Sequence, residues 1–420
     1  MTGVDRQRLV ELLARADIAA LLAALNRDGE EARVVGGAVR NALLGEPVAD
    51  IDVATTCLPD ETMRRARAAG FKVVPTGVEH GTVTVVIDGA PFEVTTLRRD
   101  VETDGRHAVV AFGRDFREDA LRRDFTINAL GLDAAGVLHD YADGLADLAE
   151  RRVRFIGAAS ERIAEDFLRI LRFFRFHARY GVGEPDRAAI DACIAGRVGL
   201  DGLSRERVWA ELRKLLVAPR AAETLQAMAG AGLLMPVIGG VPRLSRFAAI
   251  ADGPGEGVYP AFRLAALTVA VSEDALRLRE RLRLSNVEFE RVSGIAAALE
   301  ALSGRGKLPE IARLRRLAHR IGMDAVAGGL VLLGTAETSA DIHDLIAELA
   351  RTPPFLPRGN DLVLRGVAAG PAVGTLLANV RWRWINAGAP ADRAAQFALL
   401  DEELVAHGVR NEIPPSTTPT

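Results

Sequence analysis

Asp50-Ile51-Asp52 follows a glycine pair in Val34-Val35-Gly36-Gly37-Ala38-Val39-Arg40, and no other spacing in the chain carries as much chemistry. Side chains on a strand alternate faces, so aspartates at i and i+2 point the same way. Two hard carboxylates on one face, close to a glycine turn, are what two Mg²⁺ ions and a triphosphate need. Val48, Ile51 and Val53 suit a strand buried in a sheet. The pattern reads as a nucleotidyl-transfer site, with Asp50 and Asp52 as catalytic carboxylates and metal ligands. An isolated Asp-x-Asp is usually a solvated strand end; the glycine pair tips the balance.

Gly36 and Gly37 precede a helix, so their backbone can approach a phosphate while the helix N-terminus favours the anion. Arg40, one turn in, is within reach of the same triphosphate; a plain turn is the alternative. A third carboxylate often completes a two-metal site, and Glu93 is the candidate, on Phe92-Glu93-Val94-Thr95-Thr96-Leu97. Its alternative is a cross-strand salt bridge.

Arg122-Arg123-Asp124-Phe125-Thr126-Ile127-Asn128-Ala129-Leu130 is the second dense motif. Its arginines suit the triphosphate, and Asp124 or Asn128 the sugar hydroxyls; a capped helix start is the alternative. The third runs from Glu165-Asp166 through Arg169, Arg172 and Arg175. At 100° per residue these four, from Asp166, form one polar band on a helix and leave Leu168, Leu171 and Phe174 for the core. The Asp–Arg spacing also fits an ordinary helix salt bridge. Cytosine and adenine share an amino donor beside a ring-nitrogen acceptor, whereas uracil and guanine present carbonyl and N–H. A carboxylate with a guanidinium would therefore accept C and A and reject U and G.

The elements that must position these groups begin with a helix over Val4–Leu25. Short strands follow at Arg33–Val35 and Val48–Ala54, flanking a helix over Ala38–Leu44 that Gly45 stops. A helix over Pro59–Ala69 and strands at Phe71–Pro75, Thr82–Asp88 and Pro91–Leu97 come next. Arg98 to Ala108 reads as a polar loop, and Leu121 to Leu132 as a helix feeding a strand. Ser160 to Arg179 reads as one helix with Ser160 at its N-cap, and Ser204 caps another to Leu216. Further helices are expected around 220–232, 260–285, 287–303, 308–320, 324–334, 338–350, 370–386 and 390–406. The fold class is α+β, a small mixed-sheet head followed by an all-helical remainder.

At 420 residues the chain is long enough for several structural units. Half of it is hydrophobic and 26% charged, as in ordinary soluble proteins. Cys57 and Cys193 fit no metal spacing, which suits a reduced, cytoplasmic compartment. The first helix is too charged for a signal peptide, and the apolar stretch Thr224–Pro242 is interrupted by glycines and prolines, so no membrane partner is expected. The net charge of −3 argues against nucleic acid, yet the basic residues are almost all arginine, with lysine only at 72, 214 and 307. Clusters such as Arg277/Arg279/Arg281/Arg283 and Arg313/Arg315/Arg316/Arg320 leave RNA contacts open, although solvated helix faces explain each alone.

These motifs, with Asp140-Tyr141-Ala142-Asp143-Gly144-Leu145-Ala146-Asp147-Leu148 and Ser204-Arg205-Glu206-Arg207 leading to Glu211-Leu212, resemble the bacterial class II CCA-adding tRNA nucleotidyltransferases of the poly(A) polymerase-like superfamily. The resemblance runs from about residue 33 to 216 and implies Mg²⁺ on Asp50 and Asp52. It also implies nucleotide contacts from Gly37, Arg40 and Arg123, base selection by Asp166 and Arg169, and support from Arg172 and Arg175. Asp140–Leu148 would be a hinge, and Arg207 with Glu211 would brace the selecting helix. The implied division is an N-terminal helix (1–32), nucleotidyltransferase head (33–155), neck (156–218), body (219–350) and tail (351–410), the last three elongated and helical, with 411–420 disordered.

The implied substrates are CTP, ATP and a tRNA lacking its 3′ CCA. The loop 98–108, with Asp104-Gly105-Arg106, matches the loop that complete CCA-adding members use to switch from C to A. Two departures stand out: Asn41 replaces the usual aspartate, and the scattered histidines form no phosphohydrolase module. Two other functions are weighed: a poly(A) polymerase using ATP alone, and a catalytically inactive tRNA-binding protein.

Overall fold

The computed structural model describes residues 5–104, 107–251, 259–304, 309–334 and 339–408. The chain divides into two compact units, residues 1–254 with 281–283 and residues 255–280 with 284–420.

The first unit opens with two helices where one was expected. Between α1 (Gln7–Leu13) and α2 (Ala16–Leu25), Arg15 turns extended, φ −62° and ψ 127°. Asp17 pins the break, accepting from Arg15 Nη2 at 2.7 Å and Ile18 N at 2.8 Å. Then come β1 (Ala32–Val35), α3 (Gly37–Leu44), β2 (Ile51–Thr55), α4 (Pro59–Ala68), β3 (Lys72–Gly77), β4 (Thr82–Ile87) and β5 (Ala90–Thr96). With the short β8 (Gly131–Leu132) and β9 (Leu138–His139) they form a seven-stranded sheet in the order β3-β4-β5-β2-β1-β8-β9. β2 and β5 run parallel, and the other neighbours run antiparallel.

Alternation sets the two faces. Val83, Val85 and Ile87 of β4 are buried between half-buried Thr82, Thr84 and Val86, and Phe92 and Val94 of β5 are buried around exposed Glu93. The register carries the pattern across, so Asp52 stands beside Glu93 on the opposite face from Ile51 and Val53.

Arg98–Ala108 is not the loop expected. β6 (Arg98–Asp104) and β7 (His107–Phe112) pair as a separate ribbon. Its β-branched residues Val101, Thr103, Val109 and Val110 outweigh the polar composition. Gly105 and Arg106 lie outside the described residues. Leu121–Leu132 also differs: α5 (Phe116–Leu121) ends where the helix was to begin, and a single tight turn, Thr126–Asn128, leads into β8. The turn lets Asn128 and Asp124 fold inward, as both are buried.

After α6 (Gly144–Ala149), the expected helix over 160–179 is two: α7 (Ala159–Glu165) and α8 (Leu168–Tyr180). Ser160 sits inside α7, with Ala158 at the N-cap. Asp166 is extended, φ −157° and ψ 106°, and its Oδ1 accepts from Leu168 N at 3.1 Å, so it starts α8 instead of riding on it. Asp166 therefore does not share a helical band with Arg169, Arg172 and Arg175, although Leu168, Leu171 and Phe174 are buried as expected. Phe173 and Phe176 of α8 pack on Phe125 and Phe155, with Phe125–Phe155 ring centres 4.9 Å apart and Phe125–Phe176 5.0 Å apart. α9 (Arg187–Ala195), α10 (Arg205–Leu216), α11 (Ala221–Gly230), α12 (Leu234–Ile238) and α13 (Leu244–Ala251) follow. Ser204 Oγ caps α10 by accepting from Arg207 N at 3.3 Å.

Helices are the only regular secondary structure among the described residues of the second unit. The helix expected over 260–285 is two, α14 (Pro260–Thr268) and α15 (Ser272–Leu282), because Asp274 accepts from Ala270 N and Val271 N between them. α16 (Asn286–Leu302), α17 (Ile311–Ile321), α18 (Met323–Leu333) and α19 (Ser339–Ala350) enclose a core that includes Leu302, Leu314, Leu317 and Leu330. α20 (Gly359–Val363), α21 (Pro371–Asn386) and α22 (Arg393–Ala406) close around Leu362, Leu376, Val380 and Leu400. Residues 411–420 lie outside the described residues. Among the described residues no helix is long and apolar enough to cross a membrane.

Candidate active site

The register builds the acidic pocket. Val35, the residue before Gly36, pairs with Asp52 across β1 and β2, and Glu93 pairs with Asp52 across β2 and β5. The carboxylates of Asp52 and Glu93 thus lie on adjacent strands beside the glycine turn; β2 begins at Ile51, not at the expected Val48, so exposed Asp50 just precedes the strand and its side-chain direction is not set by strand alternation. The Asp52 carboxyl is pushed above its ordinary value of 3.8, first by burial of its surroundings and then by the like charge of Glu93. Asp50 adds to the rise, and Arg123 opposes it. None of the three acids has an ion-pair or hydrogen-bond partner among the described residues. Nor do three or more metal-ligating side chains gather tightly enough there to hold a metal unaided.

Gly36 has φ +69°, which favours glycine, and a Cβ there would stand 3.0 Å from Arg123 Nη1. The turn therefore makes room for the guanidinium. Arg123 is held by Asp119 Oδ2 at 3.2 Å and donates to Asn128 O at 3.4 Å. Asp119 is buried and also binds Arg122. Burial alone would raise its pKa, but Arg122 and Arg123 hold it below the ordinary value. It escaped the sequence reading, although its i+3 and i+4 spacing to two arginines was a usable signal.

Arg40, Asp124 and Asn128 are buried, and Arg172 and Arg175 are half-buried. Each is committed to an internal chain that begins at Tyr180. Arg40 Nη2 donates to the Tyr180 hydroxyl at 2.7 Å and Arg40 Nη1 to Asn128 Oδ1; Asn128 Nδ2 donates to Asp124 Oδ1 at 3.0 Å. Arg172 Nε donates to Asp124 Oδ2 at 2.6 Å, and Arg175 Nε to Glu211. Burial would raise the Asp124 carboxyl, but Arg172 holds it below its ordinary range. Burial draws the Arg40 guanidinium downward.

The side chains of Asp166 and Arg169 do not pair with each other, although Arg169 N donates to Asp166 O at 3.0 Å. Arg207 Nη2 donates to Asp166 Oδ2 at 2.7 Å, while Arg169 binds Glu165 and donates to Arg162 O at 2.8 Å. Both keep hydrogen-bonding capacity beyond these anchors. Asn41 accepts from Arg40 through Oδ1, so the arginine keeps an oxygen partner where an aspartate was expected. In the segment expected to hinge, Asp140 accepts from Gly144 N and Leu145 N, and fully buried Asp147 accepts from Thr126 Oγ1, Arg152 and Arg154.

Residues 32–154 match the family described as the Poly A polymerase head domain, and 187–245 the probable RNA and SrmB-binding site of polymerase A. Fold and acidic pocket together thus define a nucleotidyltransferase with an RNA-linked helical part. The mitochondrial CCA tRNA nucleotidyltransferase 1 of Mus musculus is 35% identical over 375 residues, covering 86% of this chain and 84% of the relative. The chain belongs to the CCA tRNA nucleotidyltransferase family. A CCA-adding enzyme of Geobacillus thermodenitrificans is 44% identical over 214 residues, about half of each chain. The crystal structure of the Bacillus stearothermophilus CCA-adding enzyme in complex with CTP superimposes with a TM-score of 0.71 at 27% identity, covering 96% of this chain and 99% of that one.

Proposed function

We infer that the protein adds C, C and A to tRNA 3′ ends from CTP and ATP without a nucleic-acid template, in the cytoplasm. The observation that carries this is the placement of Asp52, Glu93 and Arg123 around the Gly36 turn in a chain that matches a CCA tRNA nucleotidyltransferase over 84% of that relative's length. The terminal ribose hydroxyl attacks the α-phosphate, a new P–O bond forms, and the bond to the β-phosphate breaks to release pyrophosphate.

Asp50 and Asp52 suit Mg²⁺: they are exposed, hard-oxygen donors with no ion-pair partner among the described residues, and Mg²⁺ is ordinarily held by one or two carboxylates plus substrate phosphates. Bound there, it would acidify the attacking hydroxyl and offset the charge of the leaving pyrophosphate. Glu93 concentrates negative charge beside Asp52, and Arg123, fixed by Asp119, offers a cation to the triphosphate over the Gly36–Gly37 backbone. Asp166 and Arg169, anchored by Arg207 and Glu165, present acceptor and donor to the amino group and ring nitrogen of C or A. Arg40, Arg172 and Arg175 act at one remove, by fixing head against neck. We assign residues 33–155 to the head, 156–218 to the neck, and the helices beyond to holding tRNA through its backbone and shape.

Sequencing the 3′ ends formed on tRNA stripped of its last three nucleotides, with CTP, ATP or both, tests the reading. C-C-A ends are expected with both and C-C ends with CTP alone; A tracts with ATP alone would indicate a poly(A) polymerase. Asp50→Ala should abolish every product, and normal incorporation by that variant would remove the mechanism.

A further inference from the structure

The loop that delivers the two aspartates is tied to the far end of the helix that follows Asp166 and carries Arg169. Residues 45–50 connect α3 to β2, and Tyr180 is the last residue of α8. Two independent contacts join them. Arg179 Nη2 donates to Glu46 Oε2 at 2.8 Å on the partly exposed side. On the buried side, the Tyr180 hydroxyl accepts from Arg40 and donates to Asn41 Oδ1 at 3.3 Å, while Asn41 Nδ2 donates to Pro47 O at 3.1 Å. Glu46 N closes on Asn41 O at 2.9 Å.

The orientation of the Asn41 amide is fixed by its surroundings, since three donors face Oδ1 and a carbonyl faces Nδ2. The amide accepts on one side and donates to Pro47 on the other, which an ionised aspartate at this position could not do. Arg40, buried without an ion-pair partner among the described residues, lies over the Tyr180 ring at 4.1 Å, so the aromatic face and neutral oxygens hold the cation in place.

We propose that Tyr180 and Asn41 are positioning residues for nucleotidyl transfer, clamping the 45–50 loop, which carries Asp50 and leads into the strand bearing Asp52, to the C-terminal end of α8. The inference rests on the functional reading above. Its consequence is that the base-selecting region at the start of α8 and the loop that carries Asp50 into β2 move as one body.

The test uses full-length protein with Tyr180→Phe, Asn41→Ala and the double variant, assayed for CTP incorporation onto truncated tRNA. Tyr180→Phe keeps the ring over Arg40 and removes only the hydroxyl. Because small displacements of reacting groups cost up to about a hundredfold in rate, each single variant should lose about tenfold in kcat, with KM for CTP unchanged. The double variant should be no worse than the weaker single one, since both cut the same chain. Thermal melting should stay close to that of the unaltered protein, and raising Mg²⁺ should recover part of the rate. Unchanged kcat in both single variants, losses that multiply in the double, or losses that track unfolding would each overturn the clamp. Failure of the unaltered protein to incorporate C would instead overturn the functional reading.

Discussion

Burial and the neighbouring Glu93 raise the Asp52 carboxyl above its ordinary value. Its folded pKa is raised, so the folded protein holds that proton more readily than the unfolded chain does. This group's contribution to stability is full below about pH 4 and lost as pH rises through its folded pKa. Metal binding runs the other way, because it needs the carboxylate. Glu93→Gln removes the nearest like charge while keeping the shape, so the Asp52 midpoint should fall and the acid limb of activity should move to lower pH. Carboxyl NMR titration of metal-free protein checks the first, and a pH–rate profile the second. An unchanged midpoint would mean that Glu93 does not contribute and that burial and Asp50 set the shift.

At the scale of elements, the Asp124–Arg172 pair is the hydrogen-bonded charge contact through which the Arg122–Leu130 motif reaches α8. Replacing Arg172 with methionine leaves the Asp124 carboxylate buried without its cation, an omission that costs about 3 kcal/mol when one member of a buried pair is removed. The folded pKa of Asp124 is depressed, so its stabilisation is full above the ordinary carboxylate range and lost as pH falls through the folded value. Urea melts across that acid window should show the dependence in the unaltered protein and lose it in Arg172→Met.

Strands such as β4 and β5 were legible from alternation, and so was Asp52 beside the Gly36 turn, whereas β6 and β7 were hidden by polar composition and Asp50 stands just before β2 instead of on it. The break at Asp166 was not, because strong helix formers on both sides hide one extended residue. Nor were the partners of Arg40 and Arg172, which lie far away in sequence and are set by how α8 packs on the Phe125–Phe155 aromatic cluster. Motif spacing names the side chains that matter. It does not say which of them face substrate and which face each other.

Across the whole molecule, a net charge of −3 conceals where cations collect. Within the second unit, Arg316 and Arg320 of α17 and Arg381 of α21 have no ion-pair partner among the described residues. Beside them His319 lies 6.2 Å, ring centre to ring centre, from the exposed Trp382. Arginine beside an exposed aromatic suits an RNA backbone with an unstacked base. Changing the three arginines to glutamine should weaken tRNA binding and flatten its salt dependence by about 0.7–0.9 log unit for every phosphate no longer neutralised. The rate at saturating tRNA should hold. Filter binding from low to moderate salt measures the slope, and an unchanged slope would place the RNA elsewhere.

Parallel pairing of β2 with β5 has a bearing on biosynthesis. Parallel neighbours need a long crossover, here α4, β3 and β4, before they can meet. As the chain leaves the ribosome, Asp52 emerges well before Glu93 and spends that interval in water. Their mutual repulsion is felt only when the last central strand docks, after hydrophobic contacts are available to outweigh it. The early folding steps are thereby spared the electrostatic strain that the finished pocket depends on.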